Sequence, residues 1–320
     1  MTGPLVSRTT WTVEDNKRQM QVSDDAFNAK DLARCNHADD AAIHMPGGVD
    51  LDMDAHMADA IAHYAAFPDI RVHNHDYKIV FGEGEWIIAV ADVLGTNTGP
   101  LRDSGGAWLP PTLKTITFEV FTTAHWVNGL IVEEFIWYDT LHMMRQLRPA
   151  GTPVGLDLSH ALEMTPLTPL HSGQSESPQE NKQRMKAFHD AINARKLGRA
   201  DLPFAPDAVV YGAADEPIGF DAYLADAERI LAAFPDLRVH NDPYRVIVAE
   251  GDWTGTVSRM TGTHTGSLTS PARFGIPAVP ATNKAFDLNY FTVARWQHGR
   301  IAQLKVIFDW VGVFQQLGLS

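Results

Sequence analysis

The chain repeats itself, and this repeat limits what it can fold into. Phe67–Trp86 reads FPDIRVHNHDYKIVFGEGEW and Phe234–Trp253 reads FPDLRVHNDPYRVIVAEGDW, and the two segments are identical at 11 of 20 positions. Chance alone gives about one match at ordinary residue frequencies. The same offset of 167 residues aligns Leu94–Gly99 with Thr261–Gly266. The repeat unit is far longer than that of a solenoid, so the sequence predicts two tandem domains.

The alignment continues beyond these segments in both directions. Phe121–Asp139 matches Phe291–Asp309 after a change in loop length, and Glu14–Met20 matches Glu180–Met185. Each half therefore holds about 150 residues, which is the usual size of one domain.

The segment between the halves has the composition of a linker. Residues 148–178 contain five prolines together with several Gly, Ser and Thr, a mixture that breaks regular structure. We therefore predict a first domain over residues 10–148, a linker over 149–177 and a second domain over 178–320.

Within each half, helical patterns come first and strand patterns follow. Met185, Phe188 and Ile192 form one apolar stripe at helical spacing, and a second helix is expected to end before Pro68 or its counterpart Pro235. Segments rich in Val, Ile, Phe and Thr then read as strands; in the first half they are 71–81, 85–96, 115–126 and 130–139. This order predicts an α+β fold. We expect two tandem cone-shaped barrels, each with helices packed on a curved antiparallel sheet around a pocket.

Composition excludes several classes of partner. A net charge of −13 argues against nucleic acid or an anionic membrane surface. The chain has no secretory signal pattern and no apolar run long enough to span a bilayer. Cys35 is the single cysteine, so neither an intrachain disulfide nor a cysteine zinc site can form. We expect a cytoplasmic protein with a small-molecule substrate, arranged as an internal pseudo-dimer that could also form homo-oligomers.

The second half carries a combination of short motifs. They are FPDLRV, AEGDW, GTHTG, FGIPAVPATNK, HGRI and the run DWVGVFQQLG that ends at Gly318. Together they resemble the SnoaL-like polyketide cyclases of the nuclear transport factor 2-like superfamily. The resemblance covers Pro178–Ser320 well and Val13–Leu147 more loosely. It implies a cone-shaped barrel with an apolar cavity and a cofactorless reaction through an enol or enolate.

The resemblance also implies an acid/base aspartate on the last strand. That residue is Asp309 in the second half and Asp139 in the first. Lys305 lies on the same strand face as Asp309, because residues at even spacing point to one side. Lys305 could stabilise an enolate while Asp309 moves the proton. The alternative is a structural ion pair at a domain interface.

Three further side chains of the second half are candidates for binding substrate, and one more for catalysis. His264 of GTHTG could act as acid/base or orient a substrate oxygen, or could simply bond to the adjacent turn. Tyr290 and Asn289 are neighbours on one strand, so one of them is expected to face the cavity. Arg259 could bind a carboxylate or phenolate. The alternatives are core packing for Tyr290 and a surface position for Arg259.

A second site is conceivable in the first half. Glu133, Trp137 and Asp139 share one strand face, and Glu119 lies on the preceding strand. The alternative, which we favour from sequence, is that this half has lost its chemistry and serves as a structural partner. The second half is then the active one. His73 and His75 could contribute two ligands to a metal, but no third ligand is evident, so we predict neither metal nor cofactor.

The predicted function is acid/base carbon chemistry on a bulky, oxygenated aromatic or polyketide-like molecule. One version is aldol cyclisation. The other is a retro-aldol carbon–carbon lyase, for example one that deformylates a lignin-derived diaryl compound. A dehydratase or isomerase of the same fold, or a non-catalytic ligand-binding protein, remains the alternative.

Overall fold

The structure is a computed structural model, and it describes six ranges of the chain. These are residues 11–102, 108–138, 140–147, 177–212, 217–269 and 278–319. The predicted linker lies outside the described residues apart from Ser177.

The two halves share one succession of elements, apart from the short strands β6 and β7, which only the first half has among the described residues. The first half consists of α1 (Val13–Asn28), β1 (His37–Met45), β2 (Val49–Leu51), α2 (Met53–Ala66), β3 (Arg71–Val72), β4 (Ile79–Glu83), β5 (Trp86–Thr96), β6 (Leu101–Arg102), β7 (Trp108–Leu109), β8 (Thr115–Val127), β9 (Leu130–Tyr138) and α3 (Thr140–Leu147). The second half consists of α4 (Pro178–Asn193), β10 (Phe204–Tyr211), β11 (Ile218–Gly219), α5 (Phe220–Ala233), β12 (Arg238–His240), β13 (Val246–Glu250), β14 (Trp253–Thr263), β15 (Ala285–Gln297), β16 (Arg300–Phe308) and α6 (Trp310–Leu317).

The two sheets have the same topology. The first runs β2-β1-β9-β8-β5-β3 with β4 also paired to β5, and the second runs β11-β10-β16-β15-β14-β12 with β13 also paired to β14. This confirms the predicted tandem α+β architecture. Two details differ from the prediction. The first strand of each half pairs in parallel with the last, so the sheets are mixed, and the single strand predicted at 71–81 is two short strands, β3 and β4.

Local sequence accounts for the helices. Thr12 and Asp15 form a capping box at the start of α1, which satisfies amide groups that have no partner within the helix. The Asp52 carboxylate accepts a hydrogen bond from the Ala55 amide (2.9 Å) and caps α2. That helix ends at Ala66, as predicted from Pro68.

The helices cover one face of each sheet, and the opposite faces pack against each other. Phe81, Phe121 and Phe135 of the first half share one apolar core with residues of the second half that include Phe291. The rings of Phe121 and Phe291 lie 5.2 Å apart. These two residues are equivalents in the repeat, and contact between equivalent residues is what an interface with two-fold symmetry requires.

Among the described helices, none is both long and apolar enough to cross a membrane.

Candidate functional site

A cavity of about 160 Å³ lies in the first half, between the sheet and helices α1 and α2. Its lining is mostly apolar. Its acidic residues are Asp24, Asp59 and Glu134. Its histidines are His37, His56 and His63, and its tyrosines are Tyr77 and Tyr138. A few polar groups in an apolar enclosure are typical of a small-molecule site.

The central pair of this cavity is His37 and Glu134. His37 opens β1 and Glu134 lies in β9, which pairs with β1 in parallel. The His37 Nε2 atom lies 2.9 Å from Glu134 Oε2, and both side chains are less than a tenth exposed. A carboxylate that bonds one imidazole nitrogen orients the ring and fixes its tautomer.

His56 of α2 extends this pair to a group of three. Its ring centroid lies 5.3 Å from that of His37. Burial lowers the pKa of His56, although the nearby Glu134 carboxylate opposes that shift. One donor atom from each of His37, His56 and Glu134 lies within 4.8 Å of the others. Two imidazoles and a carboxylate are donors that suit a transition-metal ion.

A second acid–hydroxyl pair lies in the same cavity. The Tyr77 hydroxyl donates a 2.5 Å hydrogen bond to Asp24 Oδ2. Burial, helped by the charges of Glu134 and Asp25, raises the pKa of Asp24 to about 7 against the opposing Tyr77 hydrogen bond. Burial and the Asp24 carboxylate also raise the pKa of Tyr77. Asp24 can therefore carry a proton near neutral pH.

Asp59 and His63 form a third pair, one turn apart on α2. His63 Nδ1 lies 3.3 Å from Asp59 Oδ2. Burial alone would lower the pKa of His63, but the Asp59 hydrogen bond and charge raise it. This pair is mutually satisfied within the helix.

The second-half positions equivalent to His37, His56 and Glu134 carry apolar or aromatic side chains. By register, His37 corresponds to Phe204, because these residues pair with the equivalent Ile131 and Ile301. At the positions equivalent to His56 and Glu134, the second half has Tyr223 and Leu304.

In the second half these substituted side chains pack on one another. The Phe204 ring lies 4.9 Å from the Phe220 ring and 5.6 Å from the Tyr223 ring. The carboxylate–imidazole group is therefore a property of the first half.

Lys305 and Asp309, the expected acid/base pair, have different partners. The buried Lys305 ammonium donates a hydrogen bond to Glu119 of the first half, and Lys78 donates to the same carboxylate at 3.1 Å. The strand face that carries Lys305 is the face that packs against the first half, not the face toward the helices. Lys305 thus forms an ion pair across the interface between the halves, with Glu119 as its partner instead of the expected Asp309.

Asp309 lies at the start of α6, directly after β16. Its Oδ1 accepts a hydrogen bond from the Gly312 amide (2.9 Å) and caps the helix. Its Oδ2 accepts one from the Gly47 amide of the first half. A carboxylate with two amide donors is well suited to stabilising structure. The catalytic role predicted for Asp309 stays a prediction.

His264 is completely buried beneath the GTHTG turn. Its Nδ1 accepts a hydrogen bond from the Thr282 amide (3.3 Å), and its ring packs 5.2 Å from Phe234. Burial lowers its pKa. His264 thus binds to the neighbouring loop backbone, which is the structural alternative, and its catalytic role stays a prediction.

The three predicted substrate-binding residues separate onto two faces. Tyr290 is buried with the helix-side core, 6.0 Å from the His189 ring. Arg259 and Asn289 are opposite each other in the ladder, on the other face. Arg259 is exposed and binds Asp287 through two hydrogen bonds. Arg259 therefore lies on the surface, and Tyr290 is the one of these three that faces inward.

The residues of the possible second site in the first half have separate partners. Glu133 binds His44 (3.2 Å), and Trp137 packs in the interface core. Glu119 binds Lys305 and Lys78 as above, and Asp139 lies outside the described residues. Glu133 and Trp137 lie on β9, which lines the cavity, but on its opposite face, because Glu134 and not Glu133 points into the cavity.

Sequence reasoning missed Asp24, His37, His56 and Glu134. A position-by-position comparison of the halves carries the signal, since each polar residue has a different counterpart in the second half. Glu134 stood inside a compared motif, opposite Leu304. The others lie in α1, β1 and α2, where the repeat is weaker.

Comparison with known proteins agrees with this architecture. The sequence profile of the SnoaL-like polyketide cyclase family matches residues 17–147 and again 182–317. No protein of curated function matches the chain.

Several solved structures are similar to one half of the chain. AclR from Streptomyces galilaeus, a proposed hydroxylase, shares 17% identity over 42% of this chain and 97% of its own, with a TM-score of 0.38. IdmH from Streptomyces antibioticus, a proposed polyketide cyclase, shares 24% identity over 41% of this chain and 97% of its own, with a TM-score of 0.36. TsrD from Streptomyces laurentii shares 22% identity over 45% of this chain and 99% of its own, with a TM-score of 0.37.

Because the family profile matches most of the chain, once in each half, and each half has the expected helix-covered sheet, the chain belongs to the SnoaL-like polyketide cyclase family, of which it carries two tandem copies.

Proposed function

We propose that the first-half cavity is the active site of a cofactorless acid/base enzyme that makes or breaks a carbon–carbon bond in an oxygenated aromatic or polyketide-like molecule. The observation that carries this proposal is the His37–Glu134 pair, held at 2.9 Å against an apolar cavity. The second half, with Phe204 and Leu304 at these positions, is then the structural partner.

His37 is the general base. Glu134 binds its Nε2, which leaves Nδ1 to accept a proton. That Nδ1 atom has no hydrogen-bond partner among the described residues. A neutral imidazole with one free nitrogen can accept a proton and return it.

Asp24 is the general acid. Its raised pKa keeps a proton on the carboxyl group near pH 7, as required for donation to a developing alkoxide or enolate. Tyr77 holds the carboxyl group in place through its 2.5 Å hydrogen bond.

The charges of the cavity favour an uncharged substrate. Asp24, Asp59 and Glu134 line it, whereas no Lys or Arg is among its described lining residues. A carboxylate or phosphate on the substrate would meet like charges in an apolar enclosure. A cavity of about 150 Å³ holds benzene, so the 160 Å³ found here accommodates about one ring.

The proposed steps balance in both directions. In a retro-aldol reaction of a β-hydroxy carbonyl compound, His37 removes the hydroxyl proton, the carbinol carbon becomes an aldehyde or ketone, and its bond to the carbon beside the carbonyl group breaks. Its electrons form an enolate, and Asp24 supplies a proton to that enolate. In an aldol cyclisation, His37 removes a proton next to a carbonyl, the enolate attacks a second carbonyl, and Asp24 protonates the new alkoxide.

The test is turnover of a panel of uncharged polyketide esters and lignin-type diaryl diols, followed by mass spectrometry. Unchanged mass indicates cyclisation or isomerisation. Loss of formaldehyde indicates a lyase, and loss of water a dehydratase. We expect the variants His37→Phe and Glu134→Leu, which carry the second-half residues, to abolish turnover. Tight binding of a panel compound without conversion would instead favour a ligand-binding protein.

A further inference from the structure

The first-half cavity also contains a group of side chains with donor atoms that metal ions bind. We propose that His37, His56 and Glu134 form a binding site for one first-row divalent transition-metal ion, with Zn²⁺ as the best match. These residues come from three elements, β1, α2 and β9, so the tertiary fold brings the donors together.

The distances suit an ion of this size. Zinc binds imidazole nitrogen and carboxylate oxygen at about 2.0–2.2 Å, which sets neighbouring donors about 3–3.5 Å apart. One donor from each of the three residues lies within 4.8 Å of the others, and His37 Nε2 is already 2.9 Å from Glu134 Oε2. Rotation of the His56 ring toward this pair closes the remaining gap.

Two buried nitrogens lack partners. The Nδ1 atoms of His37 and His56 are inaccessible to water and have no hydrogen bond within the described part of the chain. Buried polar atoms without a partner are rare, and an unplaced ion is one of the standard explanations.

The surroundings favour positive charge. Asp24 and Asp59 line the cavity beside the three donors, and its described lining includes no Lys or Arg. The cavity also leaves space beside the donors. Three protein ligands with one open position are the arrangement that zinc adopts in catalytic sites.

The second half is an internal control. Phe204, Tyr223 and Leu304 stand at the three equivalent positions, so all three donors are lost together. The exposed His73 and His75 form a different group, in which His75 binds Asp25 at 2.9 Å.

The ion and the proposed proton transfer both use the His37 ring, because an ion on Nε2 moves the ring proton to Nδ1. With the ion bound, His37 cannot accept a proton, so metal binding and turnover exclude each other. The inference does not rest on the proposed function, because binding is measured without substrate.

The experiment titrates metal-free, full-length protein with ZnCl₂ by calorimetry and with CoCl₂ by visible absorption. We expect one ion per chain and cobalt bands of a four- or five-coordinate site. His37→Phe and Glu134→Gln should weaken binding by at least about 100-fold, since even outer-shell changes cost about 10–100-fold. His75→Ala, at an exposed site, should bind as the wild type does. Circular dichroism establishes that each variant is folded.

Two results would overturn the inference: no stoichiometric binding by the wild type, or equal binding by the wild type and both site variants. If binding is absent but panel compounds are turned over, the metal site alone is refuted. If zinc binds as described but no compound is converted, the proposed function alone is in question.

Discussion

Glu83 and Glu250 occupy equivalent positions at the ends of β4 and β13, and each carboxylate reaches across to the other half. Glu83 Oε2 accepts a hydrogen bond from the Ala249 amide at 3.0 Å. Glu250 Oε2 accepts one from the Gly82 amide at 2.7 Å. The exchange is reciprocal, as in the self-complementary interface of a two-fold dimer.

A lysine from the opposite half completes each of these contacts. Lys182 binds Glu83 at 2.7 Å, and Lys17 binds Glu250 at 2.8 Å. The two lysines belong to the matching segments at the start of α4 and α1. The repeat therefore has a structural consequence, because one set of residues, used twice, joins the two halves.

Removal of either glutamate should destabilise the protein. Glu83→Ala or Glu250→Ala leaves a strand amide without its acceptor, at a cost of about 1–3 kcal/mol. The free energy of unfolding in urea measures this. Glu85→Ala is the matched control, because the Glu85 side chain is 62% exposed and, among the described residues, binds His125 at the surface; we expect a change within about 0.5 kcal/mol. Equal effects of Glu83→Ala and Glu85→Ala would contradict the assignment.

Removing one partner of the buried Glu119–Lys305 ion pair should lower the free energy of unfolding much more than replacing both partners with apolar residues. Glu119→Leu leaves the 4% exposed Lys305 without its carboxylate, which is expected to cost about 3–5 kcal/mol. The double variant Glu119→Leu/Lys305→Met should recover most of that loss, since Lys78 retains Asp92 at 2.6 Å. Urea unfolding of the three proteins tests this. A double variant no more stable than Glu119→Leu would count against a buried pair.

The same pair predicts a dependence of stability on acid. Burial alone would raise the pKa of Glu119, but Lys305 and Lys78 lower it below its ordinary value of 4.5. Between the folded and the unfolded pKa of Glu119, the unfolded chain therefore binds more protons than the folded chain. Stability is lost as pH falls through the folded pKa. Urea midpoints between pH 3 and 6 should fall more steeply for the wild type than for the double variant. Equal dependence of the urea midpoint on pH in the wild type and the double variant would contradict this prediction.

Much of the fold could be predicted because the repeat and the strand patterns are local signals. Pro68 ends α2, and the motifs of the second half indicate the family. The parallel pairing of β1 with β9 could not be predicted, because it joins segments about a hundred residues apart, whose order in the sheet no local pattern encodes.

The site was harder because alternation predicts which residues share a face, but not which face is covered by helices. Lys305 and Ile307 do share a face, and so do Phe135 and Trp137, but both faces form the interface between the halves. In a fused pair each sheet buries both sides, so apolar alternation cannot distinguish cavity from interface. Glu134, a charged residue within a strand and opposite Leu304 in the repeat, was the available indication.

Activity should depend on the protonation of Asp24. With a pKa of about 7, the group loses its proton as pH rises, so kcat/KM should fall above neutrality. The groups that face it are Tyr77, Glu134 and His37, together with its neighbour Asp25. Asp24→Asn cannot ionise, and we expect lower activity without that alkaline decline. An unchanged alkaline limb in Asp24→Asn would assign the titration to another group.

The most direct measurement of the central claim compares kcat/KM for Glu134→Gln and Asp309→Asn on one turned-over substrate. Both changes keep the size of the side chain, and Asn can still cap the helix through its one oxygen, although it loses the bond from the Gly47 amide. If the first-half cavity is the active site, Glu134→Gln should lose about 10²–10⁴-fold, while Asp309→Asn should stay within about tenfold of the wild type. Loss of turnover in Asp309→Asn, with Glu134→Gln unaffected, would contradict the account and assign catalysis to the second half.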